Sequence, residues 1–325
     1  MLEFLCYFVA TMTKDISLKV VRYENRYKND WDKFVNEAKN STFLFRRDFM
    51  EYHKDRFEDF SLMIFKDDKL VAVFPANISE NKVYSHQGLT FGGLIVKNSS
   101  KESYQKYFYC IKKYLATQKI ADLFVKQMSK PYQKEVSECD KNIEKKVVKE
   151  ELNMQVKLDD FEISKSKMKH YKRNLKNDFL LVENDGLETF WNRILIPLLS
   201  EKYDAKPVHS LKEIEYLKAK FPDNITQYSL YYQNEIIAGI TVFLNSENIV
   251  KSQYGAASSL GKKLRAIDFL FIELINKFKE LNFTYFDMGT ATDTTFSGGI
   301  NTGLMNQKKE LGCRAYEQNI IQISL

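Results

Sequence analysis

The segment from 257 to 266 combines small side chains with clustered cations, and this composition is typical of a phosphate-binding turn. A predicted strand (residues 249–256) precedes it, and a helix with apolar residues at helical spacing follows it. Lys262, Lys263 and Arg265 stand at the start of that helix, which has no acidic residue before Asp268. Because free N–H groups and the macrodipole of a helix N-terminus attract negative charge, we predict that a phosphate or pyrophosphate binds here. A solvated basic turn is the alternative interpretation.

Length and composition indicate two folded units with sizeable cores. The chain has 325 residues, of which 44% are hydrophobic, and it contains 24 Phe and 19 Tyr. Its net charge of +6 is compatible with an anionic ligand and does not by itself indicate a DNA-binding protein. The four cysteines and four histidines are dispersed, without the spacing of a metal site, so we predict isolated thiols and no metal.

The first residues are apolar but too few to span a bilayer, and they lack the pattern of a secretory signal. Met12 opens a polar stretch typical of the start of a folded protein, so we interpret residues 1–10 as an upstream extension or a loose tail. No other segment resembles a membrane span. These observations predict a cytoplasmic protein.

The two halves of the chain follow the same order of predicted elements: helices, a β-hairpin, a glycine-bearing strand, a long helix and a strand. The hairpins join 61–65 to 70–78 and 228–232 to 236–244, and the first long helix covers 101–117. We therefore predict an α/β (α+β) fold with two similar units, residues 13–150 and 151–325. Each unit has a mixed central β-sheet flanked by helices, and a charged stretch at 135–159 joins them.

Other helices are predicted over 47–57, over 187–201 with an interruption at Pro197, and from a capping box formed by Ser210 and Glu213. A further helix over 164–178 carries six Lys or Arg residues around Met168, Tyr171 and Leu175. A solvated basic face is the simplest interpretation of this run, and binding of a phosphorylated acceptor is the alternative.

Several segments together resemble the GNAT superfamily of acyltransferases, and in tandem they resemble the FemAB-like (Fem-type) peptidoglycan aminoacyltransferases. The matching segments are YSHQGLTFGG (84–93), KPVHSLKEIEYLKAKFP (206–222), AGITVF (238–243), QYGAASSLGKKLRAIDFLF (253–271), YFDMGTATD (285–293) and NTGLMNQKKELGCR (301–314). The turn is poorer in glycine than is usual in GNAT enzymes. The long helical hairpin of many Fem enzymes, thought to touch tRNA, has no counterpart here.

The resemblance implies attack of an amine on a thioester or ester carbonyl, with two substrates held together and the oxyanion stabilised. No covalent enzyme nucleophile is needed for this reaction. The turn would hold the phosphates of the acyl donor. The residues implied in that role are Ser258, Ser259, Gly261, Lys262, Lys263, Leu264, Arg265 and Ala266.

On the acceptor side, three residues are candidates for catalysis. Asp287 ends an apolar strand just before Gly289, where a carboxylate could act as base, hold an ammonium group or cap the following turn. His209, between Pro207 and the cap of a helix, could act as base or bind the acceptor, or bond only to local backbone. Tyr254, on the strand before the turn, could protonate the leaving group or bind the acceptor, or be an ordinary strand aromatic.

Four further residues complete the predicted site. His86 takes the parallel position in the first half and is a candidate for substrate binding. Asn301 and Glu310 lie at or near a late helix after the Gly298–Gly299 turn and are candidates for the same role. Lys308 is singled out because Fem-like enzymes often use a lysine near the C-terminal end to polarise the acyl carbonyl.

The predicted function is N-acyl transfer, with acetyl-CoA or another acyl-CoA as donor. The predicted acceptor is a primary amine of a cell-envelope precursor, such as a nucleotide-linked amino sugar or a muropeptide. One alternative keeps the fold and uses aminoacyl-tRNA as the donor. The other is a non-catalytic GNAT-like module that binds an anionic ligand or a partner.

Overall fold

The fold is described from a computed structural model over residues 18–97, 100–133, 144–246, 248–292 and 299–325. The predicted tail at 1–10, Cys6, Cys139 and Gly298 lie outside these ranges. Cys110 and Cys313 are free thiols.

The first unit contains two sheets built largely from the first 130 residues. Its strands up to residue 126 are β1 (Leu18–Arg22), β2 (Glu58–Asp59), β3 (Leu62–Lys66), β4 (Lys69–Phe74), β5 (Asn77–Ser79), β6 (Lys82–Tyr84), β7 (Ile95–Val96) and β8 (Asp122–Lys126). Its helices are α1 (Lys28–Glu37), α2 (Arg47–Met50), α3 (Lys101–Thr117) and α4 (Lys130–Gln133). One sheet has the strand order β1-β3-β4-β7.

Local sequence signals account for the hairpin and the long helix of this unit. The β3–β4 turn places Asp67 and Asp68 at positive φ, which aspartate tolerates better than most residues. Helix α3 has the predicted bounds, and Ser100 caps it by accepting a hydrogen bond from the Ser103 N–H group. The prediction of a helix over 47–57 was wrong in length, because the chain leaves the helix after Met50 in a series of turns.

The second unit is organised around a seven-stranded sheet. The strands in the described residues from 144 onwards are β9 (Lys146–Lys149), β10 (Leu152–Lys157), β11 (Phe179–Glu183), β12 (Ile225–Tyr232), β13 (Glu235–Ser246), β14 (Ile249–Ala257), β15 (Tyr285–Thr290), β16 (Arg314–Glu317) and β17 (Ile320–Ser324). The helices are α5 (Lys165–Asn174), α6 (Leu187–Phe190), α7 (Ile196–Tyr203), α8 (Leu211–Lys220), α9 (Ser259–Lys263), α10 (Ala266–Glu280) and α11 (Thr302–Glu310). The order of the large sheet is β11-β12-β13-β14-β15-β10-β16.

The two units exchange strands. β17, the last strand of the chain, lies between β8 and β9 in the six-stranded sheet β2-β5-β6-β8-β17-β9 of the first unit. β10, which directly follows β9, lies between β15 and β16 of the second unit. The stretch at 135–159, predicted as a charged connection, therefore contains two strands within its described part. The division at residue 150 stays a prediction, to which the structure adds this exchange.

The prediction missed β10 because its apolar residues alternate with amides rather than forming an uninterrupted run. Met154 and Val156 are buried on one face, and Asn153 and Gln155 are buried on the other. Both faces are covered, as is usual for a strand in the middle of a two-sided sheet.

Helices of the second unit differ from the predictions in two places. Pro197 does not interrupt the helix around it, because a π-helical turn, Trp191–Leu195, precedes it and adjusts the backbone hydrogen bonding. In α5, Lys167 does not join the solvated basic face. It is buried and its ammonium group lies 2.6 Å from Asp268. The capping box of Ser210 and Glu213 is confirmed.

The large sheet has two differently covered faces. One packs against α10 through residues such as Val242, Val250 and Phe286. The other faces the first unit, where Phe243 contacts the rings of Phe43 and Phe49. The side chains at the boundary between the two units therefore belong to one continuous core.

We predict that the last strand is needed for the stability of the first unit. Ile323 is fully buried there, so Ile323→Ala should lower the free energy of unfolding by about 2–5 kcal/mol, measured by urea denaturation. Ser324→Ala, at an exposed position of the same strand, is the control and should change it by less than about 0.5 kcal/mol. Equal stability of the two variants would contradict the exchange.

Candidate active site

Strands β14 and β15 begin side by side and then part. They pair in parallel from Ile249 with Tyr285 to Lys251 with Asp287, although β14 continues to Ala257 and β15 to Thr290. Opposite β13, the register of β14 shifts at Gln253, which is a β-bulge. Bulges often re-aim side chains next to active sites, and parting strands open a cleft in a sheet.

Asp287 stands where the two strands part, and donors from both units surround its carboxylate. The side chain is fully buried. Its Oδ2 accepts hydrogen bonds from the Tyr132 hydroxyl at 2.7 Å and the Asn153 amide at 3.3 Å, and lies 3.6 Å from Lys251 Nζ. Its Oδ1 accepts from the Gly289 N–H group at 2.6 Å. The carboxylate therefore caps the following turn and is held in a fixed position.

Lys308, on α11, contacts the residues that follow Asp287 in β15. Its ammonium group donates to the carbonyl oxygens of Gly289 at 3.2 Å and Thr290 at 2.8 Å. Burial, with the nearby charge of Lys251, lowers the pKa of Lys308 to about 8. Lys251, Asp287 and Lys308 thus form a compact cluster of buried charges at the opening.

His209 and Tyr254 are in direct contact. The Tyr254 oxygen accepts a hydrogen bond from the His209 backbone N–H group at 3.1 Å and lies 2.5 Å from His209 Nδ1. Burial lowers the pKa of His209 to about 4 and raises that of Tyr254 to about 12, so both are neutral at pH 7. Because the phenol oxygen already accepts one hydrogen bond, we assign the Tyr254 hydroxyl as the donor to Nδ1 of His209. Nδ1 is then the unprotonated ring nitrogen, and Nε2 carries the N–H group.

His86 is connected to His209 by a series of stacked rings. Its imidazole lies 5.2 Å from His53, which stacks on Tyr52, which in turn stacks on His209. Burial lowers the pKa of His86 to about 3. His53, Tyr52 and His209 line a cavity of about 300 Å³ that Gln253 also lines. We call it the ring cavity.

The predicted phosphate turn is built in two steps rather than one. Ser258 caps the short helix α9 by accepting from the Gly261 N–H group, and the chain then turns through Arg265 at φ +58°. Helix α10 begins at Ala266, and no side chain caps its N-terminus. Gly261 packs so closely that a Cβ there would lie 2.0 Å from the Ile237 carbonyl oxygen. Residues 258–265 are not part of the sheet, and Ser259, Leu260, Lys262, Lys263 and Arg265 among them are exposed, as an anion site at α10 requires.

A cavity of about 470 Å³ lies beside this turn, between α10 and α11. We call it the donor cavity. The residues that line it are Lys167, Lys262, Arg265, Ile267, Asp268, Gly303, Asn306, Gln307 and Glu310. Of the residues predicted to bind phosphate, Lys262 and Arg265 line this cavity. Lys263 is exposed to solvent and does not line it.

The structure separates the remaining predicted residues. Asn301 caps α11 by accepting from the Leu304 N–H group, which is a structural role. Glu310 lies at the donor cavity, 3.7 Å from Lys167, rather than with the ring cavity. Ala266 is buried in the core under the turn.

Sequence reasoning missed three residues of the site. Lys251 was a single charge in an apolar strand, which is a usable sign of a buried functional cation. Gln253 could not be distinguished from its neighbours in the sequence, because its position in the site results from the β-bulge. Tyr132 carried no local signal, since only the packing of the first unit against the second brings it to Asp287.

In the second unit a parallel pair of strands parts, and an uncapped, cation-lined helix start follows the first of the two strands in the chain. No protein-family model matches the chain and no curated protein matches it in sequence. Among solved structures it is similar to FemX, with 13% identity over 94% of this chain and 97% of FemX, and a TM-score of 0.69.

Two other solved structures share the fold. One is the C-terminal domain of a putative lysylphosphatidylglycerol synthetase from Agrobacterium fabrum, with 11% identity, 92% of each chain and a TM-score of 0.59. The other is a tandem GNAT protein from the clavulanic acid biosynthesis pathway, with 7% identity, 95% and 98% coverage and a TM-score of 0.51. The predicted fold, two GNAT-like units resembling Fem-type proteins, is confirmed.

Among the described residues, no helix is both long and apolar enough to cross a bilayer. Nor do they include a group of three or more His, Cys, Asp or Glu side chains able to hold a metal ion.

We predict that the phenol of Tyr254 stabilises the fold around His209. Tyr254→Phe leaves a buried N–H group and a ring nitrogen unpaired and should cost about 1–3 kcal/mol, measured by thermal or urea unfolding. Tyr216→Phe, at a half-exposed tyrosine, is the matched control and should be neutral. Identical curves for the two variants would rule out the assigned hydrogen bonds.

Proposed function

We propose that the protein is an acyltransferase that moves an acyl group from a phosphate-bearing donor to a primary amine. The observation that carries this proposal is the opening between β14 and β15. The cations Lys262 and Arg265 and the uncapped start of α10 follow the end of β14. The buried residues Asp287 and Lys308 lie at the point where β15 parts from β14. A donor anchored by its phosphates would place its acyl group at this opening.

Acyl-CoA, with acetyl-CoA as the first candidate, is the proposed donor. The pyrophosphate of coenzyme A suits the N–H groups at the start of α10 together with Lys262 and Arg265. The donor cavity has a volume of about 470 Å³ and lies between two helices. This size and position suit an extended organic ligand that enters from solvent.

The reaction joins the amine nitrogen to the acyl carbon and breaks the bond to the leaving group. The carbonyl oxygen becomes negative in the tetrahedral intermediate, so a positive group fixed beside it lowers the barrier. Lys308 is that group in our proposal, and Asp287 and the backbone carbonyls of Gly289 and Thr290 position it. The amine loses one proton overall, and the departing thiolate or alkoxide gains one.

Asp287 is then a positioning residue rather than the base predicted from sequence as one option. Three hydrogen-bond donors and Lys251 already occupy both of its oxygens. Such a carboxylate keeps two lysines close together that would otherwise repel each other.

The ring cavity is the proposed site of the acceptor amine. It adjoins the bulge at Gln253, and His209 would offer its Nε2–H group there. Apolar walls with a few polar groups are typical of sites for small organic molecules. A cell-envelope precursor, such as a nucleotide-linked amino sugar or a muropeptide, is the proposed acceptor, in line with the fold shared with FemX.

Aminoacyl-tRNA is the second candidate donor, and one specific observation favours it. Helix α5 adjoins the donor cavity through Lys167 and exposes further cations. These exposed cations, which we call the basic face of α5, are Lys165, Lys169, Lys172 and Arg173, with Lys176 just after the end of the helix. A row of exposed Lys and Arg suits a phosphate backbone longer than that of coenzyme A.

We predict that Lys262→Glu weakens acetyl-CoA binding at least about tenfold, since it reverses a charge in the donor cavity. Lys263→Glu is the matched control, because this neighbour has the same charge and does not line the cavity. Calorimetric titration with acetyl-CoA measures both. Equal loss in the two variants would mean that only general charge, not this cavity, attracts the donor.

The same titration separates the two donors. Absence of acetyl-CoA binding, together with tRNA binding that Lys169→Glu and Lys172→Glu weaken, would favour the second candidate. If neither donor binds and no amine acceptor is acylated, the protein is a binding module and the proposed transferase is wrong.

We predict that the transfer rate has a bell-shaped pH profile. It rises as the attacking amine loses its proton, and it falls above about pH 8, where Lys308 becomes neutral and no longer stabilises the oxyanion. Lys308→Arg stays charged and should move the falling limb to higher pH. Lys308→Met should lower kcat by roughly 10²–10³-fold. A falling limb that stays in place in Lys308→Arg would exclude this role.

A further inference from the structure

The exposed side of helix α5 carries cations without any acidic residue between them. Glu162 and Asp178, the nearest acidic residues in the sequence, lie outside the helix on either side. Among the cations of residues 164–178, only the buried Lys167 forms an ion pair with another described residue. Helix α8 differs, because Glu213 and Glu215 alternate with its lysines, as is typical of a solvated helix. The basic face of α5 is therefore a concentrated positive charge with no internal compensation.

Two exposed leucines lie beside these cations. Leu175, at the C-cap of α5, is 57% exposed, and Leu260 of α9 is 38% exposed. The two segments meet where the Asn174 amide donates a hydrogen bond to the carbonyl oxygen of Leu264 at 2.6 Å. Leu260 stands one helical turn before Leu264, whose N–H group donates to its carbonyl oxygen. The end of α5 and the turn after β14 therefore form one outer surface.

We call this region the leucine–lysine surface. It consists of Lys172, Arg173, Leu175, Lys176, Leu260 and Lys263, all of them exposed. None of them lines the donor cavity or the ring cavity. The surface is thus separate from both cavities of the proposed reaction.

The combination of leucines and cations defines the partner that this surface fits. Leucine side chains gain free energy by leaving water, and the cations gain from nearby negative charge. An anionic lipid bilayer supplies both environments, with phosphates at its surface and hydrocarbon just below. A nucleic acid backbone supplies the charge but no apolar environment for the leucines.

We propose that the leucine–lysine surface binds the face of an anionic phospholipid membrane. The cations lie among the headgroup phosphates, and Leu175 and Leu260 enter the boundary between headgroups and acyl chains. Lys165 and Lys169, the rest of the basic face of α5, add attraction to the negative surface. This binding does not depend on the proposed transfer reaction.

The charge requirement is tested by sedimentation of the full chain with lipid vesicles. Vesicles of phosphatidylcholine with about 30% phosphatidylglycerol should bind it at least about tenfold more tightly than phosphatidylcholine alone, and added salt should weaken this binding. Lys172→Glu combined with Lys176→Glu should weaken it at least about tenfold. Lys106→Glu combined with Lys113→Glu, at exposed lysines of α3, is the matched control and should change it less than about twofold.

The apolar requirement is tested with a leucine pair. Leu175→Ser should weaken binding to the anionic vesicles at least about threefold, because the leucine no longer enters the bilayer. Leu281→Ser is the matched control. Leu281 is likewise the C-cap residue of a helix, α10, is 56% exposed, and lies at the opposite end of α10 from Leu260. This control should bind as the unchanged protein does.

The inference is overturned if the chain binds anionic vesicles no better than neutral ones. It is also overturned if the α3 control loses as much binding as the α5 pair, or if Leu175→Ser binds as tightly as the unchanged protein. Binding of tRNA that the α5 pair weakens, without binding to vesicles, would assign the surface to nucleic acid instead. These measurements involve neither acetyl-CoA nor acyl transfer, so their failure is distinguishable from failure of the proposed function.

Discussion

The structure depends on one buried carboxylate that both units hold in place. Asp287 lies in the second unit, yet its shortest hydrogen bond to another side chain comes from Tyr132 of the first. A buried charge is costly unless hydrogen bonds satisfy it, and removal of one partner leaves an uncompensated group. Loss of the Asp287 carboxylate or of its partner Tyr132 would therefore weaken the contact between the two units and disturb the proposed reaction centre.

The ring cavity lies at the same boundary. It has one wall from each unit, and Phe49 of the first unit and Phe243 of the second, whose rings are in contact, both line it. The donor cavity, in contrast, lies within the second unit. In the proposed function, the first unit therefore takes part in binding the acceptor, and donor binding is left to the second unit.

Local signals in the sequence predicted much of the second unit. The cations around Gly261, the capping box at Ser210 and the apolar face of α10 each depend on residues close together in the chain, where propensity and capping rules apply directly. The strand β10 and the residues Tyr132 and Lys251 could not be found in that way. Their roles arise from pairing and packing over long sequence separations, which no local pattern records.

The exchange of β10 and β17 has a consequence for how the chain acquires its structure. The Gln322 side chain bonds to Asp122, two hundred positions earlier, across the β8–β17 pair. The sheet of the first unit therefore cannot be completed during synthesis until residues 320–324 have left the ribosome. Contacts of such long range slow folding and leave an edge of β8 unpaired in the meantime. A chaperone that covers that edge would therefore protect the nascent chain. Neither half is expected to fold stably as a separate fragment, because each unit contains a strand from the other part of the chain.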